Sequence, residues 1–283
     1  MTVFLNGRFL PEAQAVVPIT DRSFLYGDGL FETLRVGRGR PLWWERHWER
    51  FETGAMSLGI PLPWSSKVLY EFACELVQQN AMPEGVLRVT LSRGSGQRGY
   101  SPKGASQPTL AMTLHPLPSA LPSVRLITAS LRISALDPAA NFKSANKLVQ
   151  VMARGEAEDR GVDEALLVNT DGHVAEACAS NLFWIEGGAV CTPPFSDGAL
   201  FGITRRIVLE ICRARTVPTK PTAHIQPQQL FAVDGVFLTN SVSGIVPVSE
   251  LDGKPLRQSP LTVELQQWYQ EAQAREANEA RPS

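Results

Sequence analysis

The sequence lacks the cysteine patterns that mark disulfide-stabilised or metal-binding domains. Only four of its 283 residues are cysteine, and they show neither a CxxC pair nor another spacing typical of metal ligands: Cys74, Cys178, Cys191 and Cys212. Scattered cysteines of this kind are typical of free thiols in a reducing compartment. The sequence therefore predicts neither a disulfide framework nor a metal site.

The chain also lacks an excess of either charge and lacks a long apolar run. Lys and Arg number 27 against 28 for Asp and Glu, whereas proteins that bind nucleic acids or membrane surfaces usually carry a basic excess. No window is apolar over the length that spans a bilayer, and the N-terminus has no basic head before an apolar stretch. We therefore expect a cytoplasmic protein that binds neither nucleic acid nor membrane.

What the sequence does contain is typical of a globular protein with substantial cores. Hydrophobic residues make up 43% of the chain, with 12 Phe and 6 Trp, and a chain of this length suffices for one large or two ordinary domains. The proline-rich segment 116–123 is typical of an extended linker. We therefore predict a small α/β domain over residues 1–115 and a larger domain over residues 124–283.

Turn signals and periodicity predict the elements of both domains. Asn6-Gly7 is a strong hairpin signal, and Asp171-Gly172 is a second. Apolar periodicity predicts helices near 45–57, 65–80, 145–159, 202–213 and 261–277, with Gly161 as a C-terminal stop of the third. Strand patterns cover 85–92, 109–114, 124–129, 163–169, 173–185, 189–192, 236–239 and 245–248.

A glycine-rich segment superficially resembles a dinucleotide-binding turn. Gly94-Ser95-Gly96-Gln97-Arg98-Gly99 fits GxGxxG and follows a predicted strand. A dinucleotide-binding turn opens a helix and is followed by an acidic residue about 20 positions later, but here Tyr100-Ser101-Pro102 follows and no such acid appears. The segment is therefore either a solvated surface loop or a loop that presents Arg93, Arg98 and Tyr100 to a ligand.

Three features of the second half together indicate one kind of cofactor chemistry. Lys143 lies among small and apolar residues, a context suited to an imine-forming lysine. Glu176 is the one carboxylate in a strand of small and apolar residues, where it requires either solvent or a cationic partner. Gly202-Ile203-Thr204 at a predicted helix start offers free N–H groups for a phosphate. Such a set is what pyridoxal phosphate (PLP) requires, although each feature alone has an ordinary structural explanation.

The sequence resembles the class IV aminotransferase family of PLP enzymes, which includes branched-chain and D-amino-acid aminotransferases and 4-amino-4-deoxychorismate lyase. The resemblance covers nearly the whole chain. It rests on Asp21-Arg22, Tyr26 to Glu32, His47-Trp48-Glu49-Arg50, Arg93 to Ser101, Lys143-Ser144-Ala145-Asn146, Glu176 to Phe183, Gly202 to Arg205, and Thr239-Asn240-Ser241 before Gly244 to Val248. It implies fold type IV, with a small α/β domain, a larger domain around a pseudo-barrel sheet, and a homodimer.

The resemblance also implies roles for single residues. Lys143 would form the internal aldimine with PLP and then act as acid and base, and Glu176 would keep the pyridine nitrogen protonated. The phosphate would lie on Ile203 and Thr204, with Arg50 and Ser241 as side-chain partners and Leu200 against the ring. The substrate, a small carboxylate, would meet Phe31, Arg93, Arg98, Tyr100 and Asn240. Lys147 is interpreted as a surface or supporting charge.

Two activities within the family remain open from the sequence. The segment Arg93–Ser101 and Asn240-Ser241 before Gly-Ile-x-Pro-Val resemble aminodeoxychorismate lyase, which makes 4-aminobenzoate and pyruvate in folate biosynthesis. Lys143-Ser144-x-Asn146 and Gly202–Arg205 are closer to the D-amino-acid aminotransferase pattern. Where such an aminotransferase has Tyr and His, this chain has Phe31 and Tyr100, which favours the lyase.

Overall fold

The structure, a computed structural model, describes residues 1–135 and 137–279. The backbone forms two compact units, the first comprising Met1–Pro118, Phe142–Asn146 and Gln273–Ser283, the second Ser119–Asn141 and Lys147–Ala272. Residues 280–283, at the end of the predicted larger domain, lie outside the described residues. The domain limits given above stay a prediction.

The first unit is built on an antiparallel sheet. Its strands are β1 (Thr2–Leu5), β2 (Arg8–Pro11), β3 (Gly29–Gly37), β4 (Arg40–Pro41), β5 (Gly85–Ser92) and β6 (Thr109–His115), in the order β2-β1-β6-β5-β3-β4. The helices are α1 (Arg22–Tyr26), α2 (Trp44–Leu58) and α3 (Ser66–Gln79). Leu87, Val89 and Leu91 of β5 alternate into the core, as a strand with one covered face requires, whereas Arg88 between them is exposed.

The second unit contains a larger, curled sheet of mixed direction. Its strands are β7 (Val124–Ile133), β8 (Glu164–Asn169), β9 (Val174–Ala177), β10 (Asn181–Glu186), β11 (Ala189–Cys191), β12 (Thr219–Lys220), β13 (Gly235–Asn240), β14 (Gly244–Leu251) and β15 (Lys254–Pro255). The order is β12-β11-β10-β13-β14-β7-β8-β9, and β15 pairs with β14. The pairs β14–β7, β7–β8 and β11–β12 are parallel.

Three further helices complete the chain: α4 (Leu148–Asp159), α5 (Ile203–Ala214) and α6 (Pro260–Asn278). In the second unit, α4 packs on β7 and β8. Its Ala153 and Ala157 are fully buried with Ala165 and Leu167 of β8. Small residues allow this close approach between helix and sheet.

Most predicted elements are present, and the departures have local causes. Strand β3 was not predicted, because it is buried along nearly its whole length and so lacks alternation. The predicted strand 173–185 is two strands, β9 and β10, with a bend between them. At this bend the Ala177 N–H donates to the Ser180 carbonyl, and the Cys178 N–H donates to the Ala165 carbonyl. The predicted helix start at Ala145 is wrong, because α4 begins at Leu148.

The four cysteines are free thiols, as predicted. Cys191 and Cys212 are buried, and Cys74 and Cys178 are half-buried. Burial raises the pKa of the Cys178 thiol to about 12 and that of Cys212 to about 11, so both are protonated at neutral pH. Within the described residues, no helix is both long and apolar enough to cross a membrane.

Candidate active site

The predicted site residues are divided between the two units. The first unit contains Phe31, Arg50, Arg93, Arg98, Tyr100 and Lys143. The second contains Glu176, Leu200, Ile203, Thr204, Asn240 and Ser241.

Lys143 lies on an extended segment that adds to the edge of β3. The Phe31 N–H donates to the Lys143 carbonyl at 3.0 Å, and the Ala145 N–H donates to the Gly29 carbonyl at 2.9 Å. Leu30 and Ser144 pair as an isolated bridge. These bonds hold residues 143–145 extended, which is why the helix cannot start at Ala145, and they fix the backbone that carries the Lys143 side chain.

The residues flanking Lys143 anchor this segment from both sides. Phe142 packs against the core of the first unit, and a Cβ on Gly54 of α2 would lie 3.2 Å from the Phe142 Cβ. Gly27 has a left-handed φ of 68°, and a Cβ there would lie 2.9 Å from the Asn146 Cβ. Glycine at both positions allows the close approach that keeps Lys143 in place.

Two cations face the Phe31 ring. The Lys143 Nζ lies 4.6 Å from the ring centroid, and the Arg88 Cζ lies 3.9 Å from it. Arg88 is the exposed residue of β5 and was not among the predicted site residues. An aromatic face stabilises nearby cations, so the Phe31 ring contacts two positive groups, which suits an anionic ligand.

A buried network of charges lies around Glu32, which follows Phe31 in β3 and therefore points to the opposite face of the sheet. Glu32 accepts from Arg50 Nε at 2.7 Å and Nη2 at 2.6 Å, and its Oε2 lies 2.7 Å from His47 Nδ1. Glu32 and His47 are almost fully buried, and the Arg50 side chain is 11% exposed. Arg50, the predicted phosphate partner, is therefore oriented by a bidentate pair with Glu32.

The protonation states in this network follow from burial and charge. Burial alone would raise the pKa of Glu32, but the Arg50 guanidinium and the His47 ring bring it down to about 2. Burial lowers the pKa of His47, and the Glu32 carboxylate only partly offsets this, while Arg50 and Lys143 lower it further. Glu32 is thus a carboxylate and His47 a neutral imidazole at neutral pH.

We expect the Glu32→Gln substitution to reduce the free energy of unfolding by about 3 to 5 kcal/mol at pH 7, since Arg50 would lose its buried partner. The folded-state pKa of Glu32 is about 2 against 4.5 for the free side chain. The wild-type advantage is therefore present above pH 4.5 and is lost as the pH falls through that value towards 2, by roughly 3 kcal/mol in total. Urea unfolding at several pH values measures both effects.

The matched control is Glu71→Gln on the exposed face of α3, which should change the unfolding free energy by less than about 0.5 kcal/mol. An equal difference between wild type and Glu32→Gln at pH 3 and pH 7 would contradict the assigned ionisation of Glu32.

The predicted substrate residue Arg93 is engaged in holding the fold. Its guanidinium donates to both oxygens of Asp28 and to the carbonyls of Leu58 and Gly59, at 2.8 to 3.1 Å. Burial alone would raise the pKa of Asp28, but Arg93 and Arg22 bring it below its usual value. This geometry favours a positioning role for Arg93, and direct contact of Arg93 with a substrate stays a prediction.

The glycine-rich loop is held in shape by one buried arginine. Arg22 donates to Asp28 and to the carbonyls of Gly99, Tyr100 and Ser101 at 2.7 to 3.1 Å. The Gly99 N–H also donates to the Tyr26 hydroxyl at 3.2 Å. Arg98 is exposed, and Tyr100 is 87% exposed with its ring against that of Tyr26. The loop therefore has a conformation fixed by hydrogen bonds, and it exposes Arg98 and Tyr100 to solvent.

In the second unit, the predicted ring-nitrogen acid is oriented by backbone and amide donors. Glu176 Oε2 accepts from the Leu200 N–H at 2.9 Å and from Asn181 Nδ2 at 3.4 Å, and Asn181 Nδ2 also donates to the Leu200 carbonyl at 2.9 Å. Glu176 thus contacts Leu200, the residue predicted to cover the ring. Asn181 was not assigned a role from the sequence.

The helix start predicted to bind phosphate lies beside this carboxylate. A Cβ on Gly202 would lie 1.8 Å from the Asn181 Oδ1, so only glycine fits between Asn181 and α5. The helix begins at Ile203, and no described side chain caps its first turn. The buried Thr204 Oγ1 has no hydrogen-bond partner among the described residues. Since an unsatisfied buried hydroxyl costs about 1 to 3 kcal/mol, the site fits an anion such as phosphate.

The turn after β13 carries the last two predicted residues. Asn240 Oδ1 accepts from the N–H groups of Val242 and Ser243 at 2.9 and 2.7 Å, and its Nδ2 donates to Ser180 Oγ at 3.0 Å. These bonds shape the turn that presents Ser241. The neighbouring Thr239 Oγ1 is buried without a partner among residues 1–135 and 137–279. A substrate role for Asn240 and a phosphate role for Ser241 stay predictions.

Comparison with known proteins identifies the family. The model of the amino-transferase class IV family matches residues 29–251. The chain belongs to the class IV aminotransferase family. Members of this family are PLP-dependent enzymes, which agrees with a helix start that offers N–H groups beside the half-buried carboxylate of Glu176.

Individual relatives of this class IV chain carry different activities. It is 34% identical over 262 residues to a Methanocaldococcus jannaschii protein provisionally named branched-chain-amino-acid aminotransferase, covering 90% of this chain and 89% of that one. It is 31% identical over 252 residues to the aminodeoxychorismate lyase of Vibrio harveyi, covering 87% and 90%. The solved 4-amino-4-deoxychorismate lyase of Pseudomonas aeruginosa superposes with a TM-score of 0.85 at 32% identity, covering 95% and 98%. The predicted fold type IV is thereby confirmed.

Sequence reasoning missed several residues of this class IV site. Arg22, Asp28, Glu32 and Asn181 belong to the segments that carry the family resemblance, but the sequence assigned them no role. Arg88 lies outside those segments and was likewise assigned no role. A signal existed for Glu32, since an acid between Phe31 and Leu34 in a buried strand needs a cationic partner. Arg88 gave no such signal, because a charged residue is common at the exposed position of a strand in which polar and apolar residues alternate.

Proposed function

We propose that the protein is a PLP-dependent 4-amino-4-deoxychorismate lyase that forms 4-aminobenzoate and pyruvate. The supporting observation is the loop Arg93–Ser101, whose Arg-Gly-Ser-Gly-x-Arg-Gly-Tyr-Ser pattern resembles the lyase. In the structure, Arg22 and Arg93 hold this loop in shape at its two ends. The similarity to two named lyases from different bacteria supports the same activity.

The residues that would hold PLP are those that the family resemblance implies. Lys143 would attach the cofactor, Glu176 would pair with its ring nitrogen, and Leu200 would cover its ring. Ile203 and Thr204 would receive the phosphate, with Arg50 and Ser241 as further partners. Two observations support this assignment: among the described residues, the Thr204 hydroxyl has no hydrogen-bond partner and no side chain caps the first turn of α5. When bound, PLP supplies an electron sink for the carbon that loses a proton.

The chemical steps assigned to this chain are proton transfers at Lys143. Its Nζ would take the proton from the amine-bearing ring carbon of the substrate. Pyruvate leaves as the ring becomes aromatic, and the same Nζ can protonate the departing three-carbon fragment. The amine remains on the ring, so no amino acceptor is consumed. Glu176, fixed by the Leu200 N–H and Asn181, would keep its partner nitrogen protonated throughout.

Two arginines of the first unit suit a substrate with two carboxylates. Arg88 lies against the Phe31 ring with Lys143, and Arg98 is presented on the glycine-rich loop. Guanidinium groups bind carboxylates through paired hydrogen bonds. We propose Arg88 and Arg98 as carboxylate partners, with Phe31 and Tyr100 as the aromatic surfaces beside them.

A paired assay tests the lyase activity against the alternative. One arm supplies aminodeoxychorismate and measures 4-aminobenzoate and pyruvate, and the other supplies 2-oxoglutarate with D-alanine or a branched-chain amino acid and measures amino transfer. We expect activity in the first arm, at least about tenfold above any in the second. Activity confined to the second arm would contradict the lyase assignment.

The second candidate is a class IV aminotransferase that acts on D-amino acids or branched-chain amino acids with 2-oxoglutarate. The relative from Methanocaldococcus jannaschii supports it. The extended segment Lys143–Asn146 and the start of α5 serve an aminotransferase as well as a lyase. The positions of Phe31 and Tyr100, where a D-amino-acid aminotransferase has Tyr and His, favour the lyase.

We also propose that the protein is a homodimer. The first unit exposes several large apolar side chains: Val16, Ile19, Phe24, Leu25 and Tyr100. Helix α4 of the second unit exposes Leu148, Val149, Val151 and Met152. Groups of exposed large apolar side chains are typical of protein interfaces. Light scattering should give twice the mass of one 31.0 kDa chain, and a monomer at micromolar concentration would contradict the proposal.

A further inference from the structure

Two histidines and one aspartate of the second unit converge outside the residues assigned to the cofactor. His224 Nδ1 lies 2.8 Å from Asp197 Oδ2, and His173 Nδ1 lies 3.7 Å from Asp197 Oδ1. The two imidazole rings lie side by side, with centroids 4.8 Å apart and planes 39° apart. One ligand atom from each residue can be chosen so that all lie within 4.8 Å of one another.

Hydrogen bonds from the backbone and from the Asn169 side chain hold the three residues in these places. The hairpin between β8 and β9 sets His173, whose N–H donates to Asn169 Oδ1 at 2.9 Å. The Val174 N–H donates to the Ile225 carbonyl at 2.8 Å, which places His224 beside His173. Asn169 Nδ2 donates to the Asp197 carbonyl at 3.2 Å. The cluster is therefore ordered by the fold.

From this arrangement we propose a site for a divalent transition metal, such as Zn²⁺, with His173, Asp197 and His224 as ligands. An ion with tetrahedral ligands at about 2.1 Å separates its ligand atoms by roughly 3.4 Å, and the two distances to Asp197 lie on either side of this value. Two imidazoles and one carboxylate are a donor set that Zn²⁺ and related ions prefer over Mg²⁺ or Ca²⁺. The carboxylate is 4% exposed and the His224 side chain 52%, so an ion can enter from solvent and retain water as its remaining ligand.

The position of the site gives it a consequence for the neighbouring loop. Asp197 ends the 3-10 turn Phe195–Asp197, and Leu200, three residues later, donates its N–H to Glu176. A metal at Asp197 would tie this loop to the β8–β9 hairpin through His173. The bound ion is therefore expected to stabilise the second unit, because a ligand that binds only the folded state raises its stability.

The test uses untagged full-length protein, as purified and after removal of any PLP, so that its result does not depend on the proposed lyase activity. Equilibrium dialysis against Zn²⁺ should give one ion per chain and raise the unfolding temperature. His173→Ala and His224→Ala should each weaken Zn²⁺ binding by roughly a hundredfold or more. The matched control is His115→Ala, since His115 is exposed and contacts Thr113 in the other unit.

Cobalt identifies the ligand atoms. Co²⁺ bound at this site should show a ligand-field spectrum without a thiolate charge-transfer band, and the spectrum should vanish in the His173→Ala/His224→Ala double variant. Circular dichroism checks that this variant is folded. A thiolate band, or wild-type Zn²⁺ binding no tighter than that of the double variant, would overturn the proposal.

Discussion

The Lys143→Ala variant is expected to lose catalytic activity by a factor on the order of 10⁴ or more, because one side chain both attaches the cofactor and moves the protons. The Lys143 Nζ lies 4.6 Å from the centre of the Phe31 ring, on a segment tied to β3 by backbone bonds. Alanine removes the amine without disturbing these backbone contacts. The measurement is kcat with the preferred substrate at saturating PLP, together with circular dichroism to verify folding.

Chemical labelling assigns the same residue independently of the substrate. Borohydride treatment of the PLP-loaded protein should join the cofactor irreversibly to Lys143, as read by peptide mass spectrometry. Lys147→Ala is the matched control, because Lys147 precedes α4 and belongs to the other unit, and this variant should keep the label on Lys143. A label on Lys147 in the wild type would overturn the assignment.

The second large effect is expected for Glu176→Gln, with kcat reduced by about 10²- to 10³-fold while PLP remains bound. Glutamine has nearly the same shape, and its oxygen can still accept from the Leu200 N–H, which bonds Glu176 at 2.9 Å. What the amide lacks is the negative charge that keeps a pyridine nitrogen protonated. The loss should therefore appear in turnover more than in cofactor affinity.

Absorption spectroscopy measures cofactor affinity, and steady-state kinetics measures turnover. The visible band of bound PLP should persist in Glu176→Gln, and the dissociation constant should rise by less than about tenfold. Glu186→Gln, at the exposed end of β10, is the matched control and should retain wild-type kcat. Unchanged turnover in Glu176→Gln would remove this residue from the mechanism.

Several features of the site followed from the sequence because they depend on local chemistry. Gly202-Ile203-Thr204 predicted a helix start with free N–H groups, and α5 begins there, at Ile203, while phosphate binding stays a prediction. The acid at Glu176 was conspicuous because a strand of small residues offers it no local partner. The turns at Asn6-Gly7 and Asp171-Gly172 likewise follow from local conformation, since Asn6, Gly7 and Gly172 adopt a left-handed backbone.

Other features depend on distant partners, which local patterns do not reveal. The segment at Lys143 is extended because Gly29 and Phe31, more than a hundred positions earlier, bond to it. Arg93 was predicted as a substrate ligand from its place in a motif, yet its donors reach Asp28, Leu58 and Gly59. The His173, Asp197 and His224 cluster could not be predicted for the same reason, since its members come from three separate segments of the chain.

The central claim, lyase chemistry at Lys143, is tested most directly by the stoichiometry of products without an amino acceptor. Purified protein supplied with aminodeoxychorismate and PLP, and with no 2-oxo acid, should release 4-aminobenzoate and pyruvate in equal amounts over many turnovers. The substrate amine should remain entirely on the aromatic ring. Product formation that stops after a single turnover until a 2-oxo acid is added would contradict the claim.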